Sequence, residues 1–180
     1  MPRLFTGLEI PEAVAARLSL AGGGLSGAKW IAPSDYHVTL RFIGEVDGAQ
    51  AREIDAELRR LSAPPFALRI GRLALFGRAR PHALVALVEP APALVALQAD
   101  HEMLMRRLGL APEPRKFTPH VTLARLKGVS AASAATYLEG GAAFPAMEIC
   151  VRRTALYSAR MSRGGGPYLV EATYPLDGPG

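Results

Sequence analysis

Cysteine is nearly absent from this chain of 180 residues: Cys150 stands alone in an apolar, strand-like stretch. That excludes a disulfide scaffold and a cysteine-rich zinc site, and it makes the cytoplasm the expected compartment. Lysine is almost as scarce, with only Lys29, Lys116 and Lys127, so arginine carries nearly all the positive charge. Long apolar runs are missing too. Glu9, Pro11 and Glu12 interrupt the start of the chain, and no stretch reaches the roughly 18 apolar residues that a membrane span requires. A membrane partner is therefore not expected. The glycines at 164–166 lack the following Lys-Ser or Lys-Thr of a phosphate-binding P-loop.

What is present is the balance of an ordinary globular protein, with 49% hydrophobic and 21% charged residues. Its length suits one domain or two small lobes. Lys and Arg outnumber Asp and Glu by 21 to 16, giving a net charge of +5 and a pI near 9.8. An anionic partner fits that balance, and arginine suits bidentate phosphate contacts, although an Ala-, Gly- and Arg-rich composition also follows from coding bias alone.

Periodicity divides the chain into alternating elements. A strand is expected over 3–10, ended by Pro11 at the start of a helix running to about Leu20. A short strand follows at Lys29-Trp30-Ile31, a turn at Pro33-Ser34-Asp35, and an alternating strand from His37 to Ile43. Helical spacing over 49–61 stops at Pro64-Pro65. Strands at 66–76 and 84–89 flank a loop with Arg78 and Arg80. A long helix over 92–108 ends at Gly109, and a second alternating strand runs from His120 to Leu126. A short helix at 130–138 precedes strands at 147–156 and 168–175, separated by the glycine-containing loop. The pattern predicts an α+β fold with antiparallel sheets.

The tetrapeptide His-Val-Thr-Leu occurs twice, at His37–Leu40 and His120–Leu123, 83 positions apart. Residues two apart on a strand share a face, so His37 projects with Thr39 and His120 with Thr122, while Val38, Leu40 and Phe42 point to the core. Two lobes packed with these faces together would place two imidazoles and two hydroxyls in one cleft, a site for phosphate. A lone strand histidine is ordinarily a structural residue with a satisfied hydrogen bond. The repetition, with a hydroxyl in the same register each time, favours function. Zinc would need further ligands near the histidines. His82 and His101 have no such partner motif and are expected to be surface or structural.

These repeated motifs resemble the His-x-Thr-hydrophobic signature of the two-histidine (2H) phosphoesterases. The flanks narrow the resemblance to the RNA 2′,3′-cyclic phosphodiesterases, once named 2′-5′ RNA ligases. They are Arg3-Leu4-Phe5 with Leu8-Glu9-Ile10-Pro11, Trp30, His37–Gly44, Phe117-Thr118-Pro119-His120 through Arg125, and the segment from Ser158 to Tyr168. The resemblance implies a single domain over 1–180 made of two intertwined lobes, one carrying 37–40 and the other 120–123. It also implies a bilobal fold with two pseudo-symmetric antiparallel sheets backed by helices around a central groove. The implied reaction hydrolyses an RNA terminal 2′,3′-cyclic phosphate to a 2′-phosphomonoester, with no metal or nucleotide cofactor, and ligation is its relative run backward.

On that resemblance His37 is the acid and His120 the base. Histidine suits both roles near neutral pH. Thr39 and Thr122 would hold nonbridging oxygens. Arg41, in register with His37, and Arg125, which needs a strand end or bend to join His120, are candidate substrate-binding residues. Phe117 and Tyr168 are candidate stacking residues for a terminal base. The expected partner is RNA with a cyclic phosphate end, and the expected state a monomer. Alternatives are a 2H enzyme acting on 2′-5′ oligonucleotides or small cyclic nucleotides, and a noncatalytic RNA-binding module.

Overall fold

The computed structural model describes residues 3–77, 79–140, 144–159 and 166–178. Arg78 and most of the 158–167 loop, including two of its three glycines, lie outside the described residues.

The chain runs β1 (Arg3–Glu9), α1 (Glu12–Ser19), β2 (Ala28–Trp30), β3 (His37–Glu45), α2 (Gly48–Leu58), β4 (Phe66–Phe76), β5 (Ala83–Val88), α3 (Pro92–Arg107), β6 (His120–Leu126), α4 (Ala131–Gly140), β7 (Met147–Val151), β8 (Arg153–Ala159) and β9 (Leu169–Pro175). Local chemistry sets several boundaries. Pro92 occupies the first turn of α3, where its missing N–H costs nothing. The Asp47 carboxylate accepts the Ala49 and Gln50 N–H groups at 2.9 and 2.8 Å, capping α2 two residues before the apolar spacing becomes visible in the sequence.

All strand pairings are antiparallel, in the order β7-β4-β5-β6-β3-β1-β8-β9, with β2 added to β6. Read outward from the middle, β3-β1-β8-β9 and β6-β5-β4-β7 are two four-stranded halves. They meet through one residue pair, Val38 with Val121. The expected pseudo-symmetry is visible in this order, and each half carries one His-Val-Thr-Leu strand at the seam.

Helices back both halves. Ile54 and Leu58 of α2 and Leu104 and Met105 of α3 pack with Leu4, Leu156 and Tyr174 behind the first half. Ala134 of α4 packs with Leu84, Ala124 and Leu126 behind the second. Exchange between halves is built in, since α3 follows a strand of the second half yet lies against β3 of the first.

The sequence predicts one strand over 147–156, but the structure has two. Arg152 separates β7, paired with β4, from β8, paired with β1. The chain crosses from one half to the other at this residue. The alternation of β7 stops at Val151, and the Arg152-Arg153 pair is the one mark the break leaves in the sequence.

Candidate active site

β3 and β6 present their motifs to one groove of about 720 Å³, lined among others by His37, Thr39, His120, Thr122, Arg125 and Tyr168. The two imidazoles are oriented in the same way. His37 Nδ1–H donates to the Asp35 carbonyl at 2.8 Å, and His120 Nδ1–H donates to the Thr118 carbonyl at 2.6 Å. A carbonyl can only accept, so each Nδ1 carries its proton and Nε2 is left to exchange one. Each orienting carbonyl lies two residues upstream, a second repetition beneath the sequence repeat.

The environments differ. His37 sits among Phe5, Tyr157 and Tyr168, with ring centroids 4.9, 5.4 and 5.0 Å away. Burial in this aromatic nest pushes its pKa down to about 4, against the Asp35 hydrogen bond and with help from His120 and Arg125. His120 has Phe76 edge-on at 4.7 Å, and its pKa is also lowered, first by burial, while the Thr118 carbonyl opposes the shift and Arg125 and Arg115 add to it. These surroundings thus favour neutral imidazoles.

Strict alternation fails at the last residue of each motif, and this decides which arginine faces the groove. On β3, Thr39 pairs with Gly7 and Arg41 with Thr6, so Leu40 is an extra residue. On β6, Thr122 pairs with Val85 and Ala124 with Leu84, so Leu123 is the extra one. These matching β-bulges bury Leu40 with Arg41 and Leu123 with Ala124, and turn Phe42 and Arg125 to the histidine face. Arg125 therefore lies in the groove by the bend it required.

Arg41 is the correction. It is 5% exposed on the opposite face, where its guanidinium binds Glu102 of α3 and the Phe42 and Ala111 carbonyls, so it does not face the groove with His37. Phe42, expected in the core, is instead 46% exposed and lines the groove. Phe117 is also displaced from the site, for it packs against the main core cluster and is absent from the groove lining. Tyr168 lies edge-on to His37, and its N–H donates to Asp35 Oδ1 at 3.0 Å.

Phe76, His82 and Arg115 also line the groove, although no sequence motif singles them out, and so does Arg3 of the opening-strand flank. Phe42 does have a signal: in the aligned motifs it stands where Arg125 stands, so a bend that turns one turns both. His82, expected at the surface or in a structural role, is exposed on the groove wall near Phe76. His101 is structural as expected, 1% exposed, with Nδ1 at 2.9 Å from Thr6 Oγ1.

The family model for LigT like Phosphoesterase matches the chain twice in tandem, over residues 8–86 and 85–168. An RNA 2′,3′-cyclic phosphodiesterase of Bacillus subtilis (strain 168) is 32% identical over 69% of this chain and 71% of its own. A protein of the same name from Aquifex aeolicus (strain VF5) is 30% identical over 83% and 82%. Among solved structures, TT0787 of Thermus thermophilus has a TM-score of 0.80 at 25% identity, covering 98% of both chains. Escherichia coli LigT complexed with 3′-AMP has a TM-score of 0.76 at 22% identity, covering 98% of this chain and 99% of that one. One motif falls in each half of the tandem match, and the chain belongs to the LigT-like phosphoesterase family.

Proposed function

We propose that this chain is an RNA 2′,3′-cyclic phosphodiesterase that opens a terminal cyclic phosphate to a 2′-phosphomonoester, with 1–180 acting as one domain of two intertwined lobes. The observation that carries the reading is the pair of imidazoles in one groove, each with Nδ1 pinned to a carbonyl and a threonine two residues on. Family membership and the names of the relatives support it.

In the reaction, His120 Nε2 takes a proton from water as the water oxygen attacks phosphorus. The P–O3′ bond breaks on the opposite side, and His37 Nε2 delivers its proton to O3′. A 2′-phosphate and a free 3′-hydroxyl remain. Thr39 and Thr122 donate to nonbridging oxygens, and Arg125 offsets charge that gathers on them in the transition state. Because burial lowers the His37 pKa to about 4, the substrate's own negative charge has to favour the imidazolium. Binding and arming of the acid are thereby coupled. The exposed ring of Phe42 offers a face for a nucleobase, as does Tyr168. The reading is of a metal-independent, cytoplasmic monomer; among the described residues no helix is long and apolar enough to cross a membrane.

The test is a substrate panel with chelator-treated protein: RNA ending in a 2′,3′-cyclic phosphate, 2′-5′ oligonucleotides and small cyclic nucleotides. The cyclic-ended RNA should be the best substrate and yield a 2′-phosphate. His37→Ala and His120→Ala should each lower turnover by about 10²–10⁴-fold while remaining folded. A phosphodiester with an activated aryl leaving group, which departs without a proton, should restore His37→Ala but not His120→Ala. Wild-type turnover in either variant, or a 3′-phosphate product, defeats the mechanism.

A further inference from the structure

Arg115 lies in the loop joining α3 to β6, and this loop is held to β3 on both sides. From within, buried Arg41 binds Glu102 and the Ala111 carbonyl, and Glu102 Oε1 accepts the Glu113 N–H at 3.3 Å. From the groove side, the Arg115 guanidinium rests over the Phe42 ring, 5.1 Å from its centroid. Glu113 completes the hold, accepting Arg115 Nε at 2.6 Å and Nη2 at 3.1 Å. The contacts form a closed circuit that begins at Arg41 and ends at its neighbour Phe42.

An exposed arginine is ordinarily a mobile, solvated charge. This one is anchored to a carboxylate and an aromatic face, with its chain segment fixed to a partly buried ion pair, so its remaining donors meet an anion with less ordering cost. Its place is also eccentric. Arg125 stands on β6 itself, five residues beyond His120, whereas Arg115 reaches the groove from the loop and rests over Phe42, five residues along β3 from His37. A second phosphate, set along the groove from the reacting one, matches this position.

We propose that Arg115 is a subsite for the phosphodiester linking the terminal nucleotide to its 5′ neighbour, and that Arg41, through Glu102 and the loop, is its positioning residue. The site thereby selects an RNA strand end over a free nucleoside cyclic phosphate. The inference rests on the activity proposed above.

The experiment compares an oligonucleotide ending in a 2′,3′-cyclic phosphate with adenosine 2′,3′-cyclic phosphate, and with the same oligonucleotide carrying an uncharged methylphosphonate at the last linkage. Arg115→Gln should lose about three- to tenfold more in kcat/KM on the charged oligonucleotide than on the other two. Arg41→Lys keeps the charge but lacks the guanidinium fork that reaches three acceptors; its KM for the oligonucleotide should rise while kcat holds. Equal losses on all three substrates, or none, overturn the subsite. A fall in kcat alone for Arg41→Lys overturns the positioning role. Affinity for the matching oligonucleotides with a terminal 2′-phosphate, measured in parallel, should show the same charge-dependent loss in Arg115→Gln. A wild type that hydrolyses nothing defeats the activity, and this binding comparison then still decides Arg115.

Discussion

A half-buried and a fully buried histidine of this protein make opposite use of the same physics. His37 is nested among aromatic rings where chemistry needs it, and His101 is packed between α3 and β1 where chemistry does not. Burial lowers both pKa values to about 4, chiefly at His37 and alone at His101, whose Nε2 has no hydrogen-bond partner among the described residues. An unfolded histidine titrates near pH 6.5, so between pH 6.5 and 4 the unfolded chain binds more protons and stability falls with acid. For His101 the full loss is on the order of 3 kcal/mol. His101→Asn can keep a polar atom toward Thr6 and remove the titration. Its urea midpoint should vary less with pH across that window than the wild type's, and an unchanged slope would place the acid sensitivity elsewhere. At this scale the sequence shows the four motif residues, because a doubled His-x-Thr pattern has a chemical meaning at each copy. It misplaces Arg41 and Phe42, because a bulge leaves no mark in composition or alternation until two strands are paired.

Elements locate the site through tolerances of a few tenths of an ångström. Gly7 of β1 pairs with Thr39 on one side and Ala155 on the other, in the same stretch where β3 bulges. A Cβ at Gly7 would lie 2.7 Å from the Val38 carbonyl oxygen and 3.3 Å from a Tyr157 ring carbon. The nearer atom is backbone and cannot swing aside, so β3 must move. Gly7→Ala should cost about 1–3 kcal/mol and displace Thr39 and His37 together. Denaturant unfolding with steady-state kinetics checks it; full stability with full kcat would mean the strands have slack. Most elements are legible from periodicity, turn residues and proline. The division of 147–156 into β7 and β8 is not, because both stretches are strand-forming and only their partners in different halves show that the chain crosses at Arg152.

At the scale of the whole molecule, duplication is the device that makes a two-group catalyst, and its weak point is the seam. The two half-sheets join through Val38 and Val121, each the middle residue of a His-Val-Thr triplet, so the contact that unites the halves also sets the separation of the two imidazoles. Both valines are 0% exposed within one core cluster. Shortening either to Ala removes buried methyl groups and should cost roughly 1–3 kcal/mol. Because the residues are paired, the double variant should depart from additivity by about 0.5 kcal/mol or more. Catalysis should respond more sharply than binding. A loosened seam leaves each histidine on its own carbonyl but lets the pair drift apart, and acid and base must act on one phosphorus at a fixed distance. Expected, then, is a fall in kcat at nearly constant KM in both single variants, under conditions where each is fully folded. Additive stability losses with unaltered kcat would mean that α3, exchanged between the halves, rather than this pair, holds the two motifs in register.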